Sequence, residues 1–358
     1  MRVLQVDSGR EWRGGQNQVR LLCHELKSMP GIENHLFTGE GSELAIRARR
    51  DGINVIHSRW HAGLSLSAFR TLGLAIGDIR PDIVHVHDSH ALTLALWLRT
   101  LGLRWFVHSK QLPPEPYAIF AHRRVDFHVK TGSGWHRADR ILAVSEGVKR
   151  VLVADGISPR DIVVIHDGID PDEIKAEADS APDIRTRLHL PAEAPLAVNV
   201  AALVDHKDQR TLVRAAAAAR ARAPQLHWVI AGEGPLREAL QRDITNLGVG
   251  DIVHMVGYVD PVDALIRESR VFVMSSKEEG MGSVVLHALA LSRPVVATAG
   301  GGLPEIVSPE WVVPVGNPEA LADSVLKALA HPARRPFEYR FTSKAMAEAT
   351  LAQYRVLA

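Results

Sequence analysis

The stretch "MSSKEEGMGSVVLHALALSRPVVATAGGGLPE", residues 274–305, holds a loop, a helix and a strand in succession. Two carboxylates, Glu278 and Glu279, stand before a tight Gly280-Met281-Gly282 turn. An apolar run follows, with His287 in its first turns. "RPVVAT" then reads as a strand, and three glycines close the stretch. Ser283 suits the N-cap of the helix, which would leave the amides of Val284 and Val285 as free donors. A helix start with free amides favours an anion such as phosphate. Glu279, just before the turn, can accept hydrogen bonds from sugar hydroxyls. His287 lies one turn up the same helix face as Ser283.

Working outward, the same strand–helix rhythm runs through the chain. "RVLQVD", "NHLFTG", "INVIHS", "DIVHVHD", "YAIFAH" and "RILAVS" read as strands in the first half. In "GGQNQVRLLCHEL" the residues Val19, Leu22, Cys23 and Leu26 share one helix face. Nearly continuous apolar strands alternating with helices imply a parallel sheet covered on both faces. The series ends at "DIVVIHDGIDPDEI", 161–174. The polar stretch "KAEADSAPDIRTRLHLPAEAP" follows, and its composition marks a linker. The pattern restarts with "LAVNVAAL", "LHWVIAGEG", "DIVHMVGY", "RVFVMSS" and "RPVVAT". The chain is therefore expected to be α/β with two doubly wound halves, and a final helix that could cap either. Open sheets of this kind bind ligands beyond the carboxyl ends of their strands, so the motif-bearing loops should face one cleft.

At 358 residues the chain exceeds one ordinary core, which agrees with two domains. Lys and Arg number 42 against 41 Asp and Glu, so no global basic field favours nucleic acid. The single Cys23 cannot form an internal disulfide, which fits a reducing compartment. "MRVLQVD" reads as a buried strand rather than a leader. The apolar run "ALTLALWL" falls well short of the roughly 20 residues of a membrane span. A cytoplasmic location follows as the expectation, with peripheral membrane contact left open.

Several other loops carry chemistry. "DSGREWRGGQNQ" follows the first strand, and Gly14 and Gly15 allow close backbone approach. It is not a G-x-G-x-x-G fingerprint, so a nicotinamide or flavin cofactor is not expected. Lys207 lies just after a strand of the second half, where it can neutralise a diphosphate as a compact charge; a solvated surface lysine is the competing reading. Gly232 and Gly234 mark a tight turn at another strand end. "HVHDSH" puts His85 and His87 on one strand face with Asp88 and His90 nearby. A metal site there lacks the H-E-x-x-H spacing and a cysteine, and none is expected. "DPD" at 170–172 sits in a hinge turn rather than a glycine-bordered metal loop. The segment 120–140 is locally basic through Arg123, Arg124, Lys130, Arg137 and Arg140, with Phe127 and Trp135 interleaved. It suits an anionic acceptor or a lipid headgroup surface, and equally a solvated loop.

Together these motifs resemble glycosyltransferase family 4, the retaining enzymes of the GT-B fold. "GGQNQVRLLCHEL", "DIVHVHD", "ILAVSEGV", "VVIHDGID", "LVDHKDQRTLVRAA", "WVIAGEGPLRE", "VHMVGYVD" and the opening stretch follow the family's order along nearly the whole chain. The resemblance implies two Rossmann-like domains facing an interdomain cleft. Residues 1–167 would form the acceptor-binding domain, with helix 341–358 crossing back onto it, and 168–340 the domain that binds the nucleotide-sugar donor. It implies that Lys207 contacts the donor diphosphate and that Glu279 sits beside the transferred sugar. Gly280, Met281, Gly282, Ser283 and Val284 would hold phosphate, and Gly14 and Gly15 would lie against donor and acceptor. Gly232 would edge the donor site and Tyr258 the nucleobase. His122 is the family's active-site histidine by this alignment, with His108 as the rival. Arg123, Arg124 and His87 are the acceptor-binding candidates.

Three positions depart from the family pattern. His287 replaces the second carboxylate of E-x7-E, which holds the ribose. Ala202 replaces an arginine, and Asp167 replaces the hinge asparagine.

The implied activity is metal-independent transfer of a hexosyl-type sugar from a nucleotide-diphosphate sugar to a glycan or lipid-linked acceptor, with retained configuration. Cell-envelope polysaccharide or lipopolysaccharide synthesis is the expected setting. No cofactor beyond the sugar nucleotide and no nucleic-acid partner is expected. Contact with the inner-membrane face is compatible with this reading. A sugar-nucleotide epimerase and a non-catalytic nucleotide-sugar binder remain open alternatives.

Overall fold

The computed structural model describes residues 1–60, 63–101, 117–332 and 336–357. The chain divides into two compact units, Met1–Gly168 with Arg340–Ala358, and Ile169–Tyr339.

Unit 1 holds β1 (Arg2–Val6), α1 (Gly14–Lys27), β2 (Glu33–Gly39), α2 (Glu43–Arg50), β3 (Asn54–Ser58), α3 (Leu66–Ile79), β4 (Ile83–Val86), α4 (Ser89–Leu101), β5 (Ala118–Arg123), β6 (Arg140–Ala143), α5 (Glu146–Ala154) and β7 (Ile162–Val164). Its sheet runs β3-β2-β1-β4-β5-β6-β7, and every pair is parallel. β1 and β4 lie at the centre and are buried almost throughout, as expected of strands covered on both faces. Val19, Leu22, Cys23 and Leu26 form the buried face of α1, as their spacing predicts. Serines open three helices of this unit: Ser42, Ser65 and Ser145 each accept from an amide in the first turn of α2, α3 and α5.

Unit 2 holds α6 (Pro171–Asp179), α7 (Ile184–Arg187), β8 (Leu196–Val200), α8 (Gln209–Ala219), β9 (His227–Ala231), α9 (Arg237–Asn246), β10 (Val253–Gly257), α10 (Val262–Glu268), β11 (Val271–Met274), α11 (Ser283–Ala290), β12 (Val295–Thr298), β13 (Val312–Val313) and α12 (Pro318–Ala330). Its parallel sheet runs β10-β9-β8-β11-β12-β13.

The last helix, α13 (Ser343–Leu357), belongs to unit 1. Its Met346, Ala347, Leu351 and Tyr354 share a core with Val3, Leu22, Leu26 and Phe120.

Two expectations change. The stretch with linker composition contains the end of α6 and all of α7. It is ordered because Asp170 caps α6, Pro171 occupies its first turn, and Ile174, Ala178 and Ile184 are buried. The Asp170 side chain accepts from the amides of Asp172 and Glu173, so the D-P-D triplet serves as a helix cap. β13 is a further strand, two residues long and too short to show a period.

Candidate active site

In unit 2 the loops after β8 and β11 interlock. Lys207 ends a short 3-10 turn before α8, and its Nζ pairs with Oε2 of Glu279. Both side chains are largely buried, at 17% and 11% exposure. Ser276 Oγ donates to the same Glu279 oxygen at 3.2 Å. Ser275 Oγ donates to the Lys207 carbonyl, and the Lys277 amide to that of His206. The lysine is therefore held against the acidic loop instead of waving in solvent.

The triple glycine closes this corner from behind. Gly301 has φ +53°, and a Cβ there would lie 1.8 Å from the Glu279 carbonyl oxygen. Gly302 donates its amide to that same oxygen at 2.9 Å. Only glycine lets the two loops approach this closely.

α11 begins one residue earlier than expected. Gly282, not Ser283, is the N-cap, because it takes the left-handed conformation (φ 81°) that turns the chain into the helix. No side chain caps the helix. The Val285 amide bonds the Gly282 carbonyl at 2.8 Å, so the free donors among the described residues are the amides of Ser283 and Val284. Gly280 and Met281 are buried within the turn.

His287 follows in α11. Its Nδ1 hydrogen is donated to Oδ1 of Asp263 in α10, at 2.8 Å, and Asp263 is only 1% exposed. Glu177 of α6 also hydrogen-bonds Asp263. Desolvation, then the hydrogen bond and charge of Asp263, push the Glu177 carboxyl up to about 7. Much of Glu177 still reaches solvent, so the contact with Asp263 is the firmer cause. Neither acid shows in the sequence pattern, because each reads as an ordinary acidic residue on a helix.

Elsewhere in this unit, Gly232 packs on the Ala201 carbonyl and Gly234 on that of Leu203. Tyr258, just past β10, is 67% exposed.

Unit 1 gathers a second set. Parallel pairing sets His85 opposite Phe120, which brings the ends of β4 and β5 side by side. His85, His87 and His122 are all buried. Arg124 binds two of them together: Nη1 donates to His87 Nδ1 and Nη2 to His122 Nδ1, each at 3.1 Å, while Nε donates to Asp167 Oδ1 at 3.1 Å.

This arrangement fixes the protons of His87 and His122. Arginine only donates, so both Nδ1 atoms accept, and the hydrogens of the two neutral rings sit on Nε2. His87 Nε2 then donates to Gln5 Oε1 at 2.8 Å. The Gln5 amide nitrogen must therefore donate to the Tyr354 hydroxyl, whose oxygen lies 2.6 Å from His85 Nδ1. Burial, with Arg124 as a further cause, holds all three imidazoles well below their ordinary pKa. Among the described residues, Nε2 of His85 and the Nε2–H of His122 have no protein partner.

One nitrogen of each of these histidines lies within 4.8 Å of the others. Both nitrogens of His87 are already engaged, however, and the adjacent guanidinium opposes a cation. Asp88 is likewise committed to the Ser8 backbone and to the amides that start α4.

Gly14 and Gly15 open α1, with open space around Gly15. Asp7, at the end of β1, was given no role by sequence. Burial and the charge of Asp88 push its carboxyl up to about 6. Arg123 packs on Trp135, while Arg124, just past β5, turns to the histidines. His108 lies outside the described residues. No described helix is long and apolar enough to cross a membrane.

Residues 12–173 match the family described as "Glycosyltransferase Family 4", and residues 180–345 match "Glycosyl transferases group 1". The chain is 27% identical over 206 residues to the lipopolysaccharide core biosynthesis glycosyltransferase LpsE of Rhizobium meliloti, covering 55% of this chain and 49% of that protein. It is 33% identical over 179 residues to the GDP-mannose-dependent alpha-(1-6)-phosphatidylinositol monomannoside mannosyltransferase of Mycolicibacterium smegmatis, covering 47% of each. The matched segment thus spans about half the length of these relatives. The crystal structure of Anabaena Alr3699/HepE in complex with UDP and glucose superposes with a TM-score of 0.81 at 16% identity, covering 99% of this chain and 100% of that one. That likeness shows the fold, two parallel-sheet Rossmann-like units of the GT-B kind. Two family matches that together take in most of the chain, in the expected order, lead to one conclusion: the chain belongs to glycosyltransferase family 4.

Proposed function

We propose that the chain is a hexosyltransferase. It takes a hexosyl-type sugar from a nucleotide-diphosphate sugar and passes it, with retained anomeric configuration, to a glycan or lipid-linked acceptor in cell-envelope polysaccharide or lipopolysaccharide synthesis. One observation carries this reading: Lys207 and Glu279, from loops 72 positions apart, meet beside the uncapped start of α11.

In the reaction the bond from the anomeric carbon to the diphosphate oxygen breaks. The acceptor hydroxyl oxygen takes its place, its proton is released, and a nucleoside diphosphate leaves. Negative charge grows on the departing phosphate. Lys207 and the amides of Ser283 and Val284 stabilise it where it develops. A bound diphosphate competes for Lys207 and frees Glu279 to accept from sugar hydroxyls. His122 carries its proton on Nε2 and acts as a hydrogen-bond donor to the sugar, not as a base. His287 presents its Nε2 lone pair as a single acceptor for the ribose. Tyr258 edges the base. Arg124 and His87 are acceptor-binding candidates of unit 1. These groups supply the positive potential that the leaving group needs, so no metal is invoked.

A thermal-shift screen of UDP-, GDP- and ADP-sugars tests the reading, since a donor that binds the folded state raises its melting temperature. One donor class should stabilise the protein. No shift with any of them would remove the donor site.

A further inference from the structure

Arg123 stands apart from the histidine cluster. Its neighbours His122 and Arg124 join His85 and His87, whereas Arg123 turns under α4 and the short turn Gly134–Arg137. Its guanidinium lies 4.9 Å from the Trp135 ring centroid, and Nη2 donates to the Phe127 carbonyl. The residue is only 8% exposed. Buried charges are normally paired. Among the described residues, Arg123 makes no ion pair, and its Nε has no partner. Asp126 and Asp155 contribute only at longer range. The Asp155 oxygens are already taken by His128 Nδ1 at 2.6 Å and the Val129 amide at 2.7 Å.

Arg123 also lines a cavity of about 260 Å³. Lys130 adds a second cation, and Ser89, Thr93 and Ser133 add hydroxyls. The Ser133 hydroxyl, too, has no partner among the described residues. A fork of guanidinium donors matches the paired oxygens of phosphate or carboxylate, and the hydroxyls match those of a sugar. The volume suits one sugar ring with its charged substituent rather than a nucleoside diphosphate.

We propose that this cavity binds the oxyanion-bearing sugar of the acceptor, a phosphorylated or carboxylated monosaccharide unit, with Arg123 as its anchor. This names the charge class of the acceptor and so rests on the transferase reading. The binding itself needs no donor and no turnover, so the two fail separately.

The experiment is calorimetric titration of the full chain at low salt with glucose 6-phosphate, glucuronate, glucose and inorganic phosphate. Binding of glucose 6-phosphate or glucuronate at least tenfold tighter than glucose and inorganic phosphate is expected. Lys130→Gln and Arg123→Lys should each weaken it at least fivefold. Arg123→Lys keeps the charge but loses the fork. If that buried change prevents folding, Lys130→Gln and Ser133→Ala at the rim carry the test. Charged sugars binding no tighter than glucose, or equally well to the variants, would overturn the site. Inorganic phosphate binding as tightly as the sugar phosphate would overturn the sugar.

Discussion

His287 donates its Nδ1 hydrogen to the buried carboxylate of Asp263 at 2.8 Å. The ring therefore offers a single acceptor, Nε2, where the family pattern has a carboxylate with two oxygens. His287→Glu alone would set a second negative charge against Asp263, which is 1% exposed. The expected result is a melting temperature lower by roughly 5 °C, from an uncompensated buried charge. Adding Asp263→Asn should restore most of that loss and tighten nucleoside diphosphate binding. A single variant as stable as the wild type would contradict this coupling.

Glu177 makes the same corner sensitive to pH. Its folded pKa of about 7 lies above the ordinary value of 4.5. A raised carboxyl stabilises the fold fully below the unfolded pKa, and the contribution is lost as pH rises through the folded one. Wild-type melting temperature, measured against Glu177→Gln, should fall between about pH 5 and 8. Parallel curves for the two proteins would show that Glu177 does not titrate there.

Arg124 should be readable in the nitrogen spectra of the buried histidines. With Arg124 in place, His87 and His122 are expected as Nε2–H tautomers that stay neutral through the pH range where an exposed imidazole protonates. Arg124→Ala should release His122 to exchange between tautomers. A protonated His122 near pH 7 in the wild type would disprove its role as a fixed donor.

Gly301→Ala probes the loop packing. A Cβ 1.8 Å from the Glu279 carbonyl oxygen, at φ +53°, cannot be accommodated without moving the acidic loop. Donor affinity should fall more than about tenfold, while the cooperative melting of unit 1 persists. Unchanged affinity would show that the position of Glu279 does not matter for the donor.

The two-sheet architecture was legible because strands buried on both faces write themselves as apolar runs, as in "IVHV" and "VFVM". Lys207 and Glu279 were each visible in their own loops, yet their pairing depends on β8 lying next to β11. The Arg124 hub was hidden for the same reason. It needs the register of β4 on β5, and no local pattern states which strands are neighbours. Asp263 and Glu177 were missed because an acid on a helix reads as solvated until the opposing helix is known. The cap at Gly282 was misread because serine is the commoner cap, and the left-handed turn overrode that preference.

The central claim is that Lys207 stabilises a departing nucleoside diphosphate. It is tested most directly by nucleoside diphosphate release from a panel of UDP-, GDP- and ADP-sugars with candidate acceptors, comparing wild type with Lys207→Ala. The account expects turnover with one donor class and a loss of at least about 100-fold in the variant, at an unchanged melting temperature. Equal rates in the two proteins, or no release from any donor by the wild type, would contradict it.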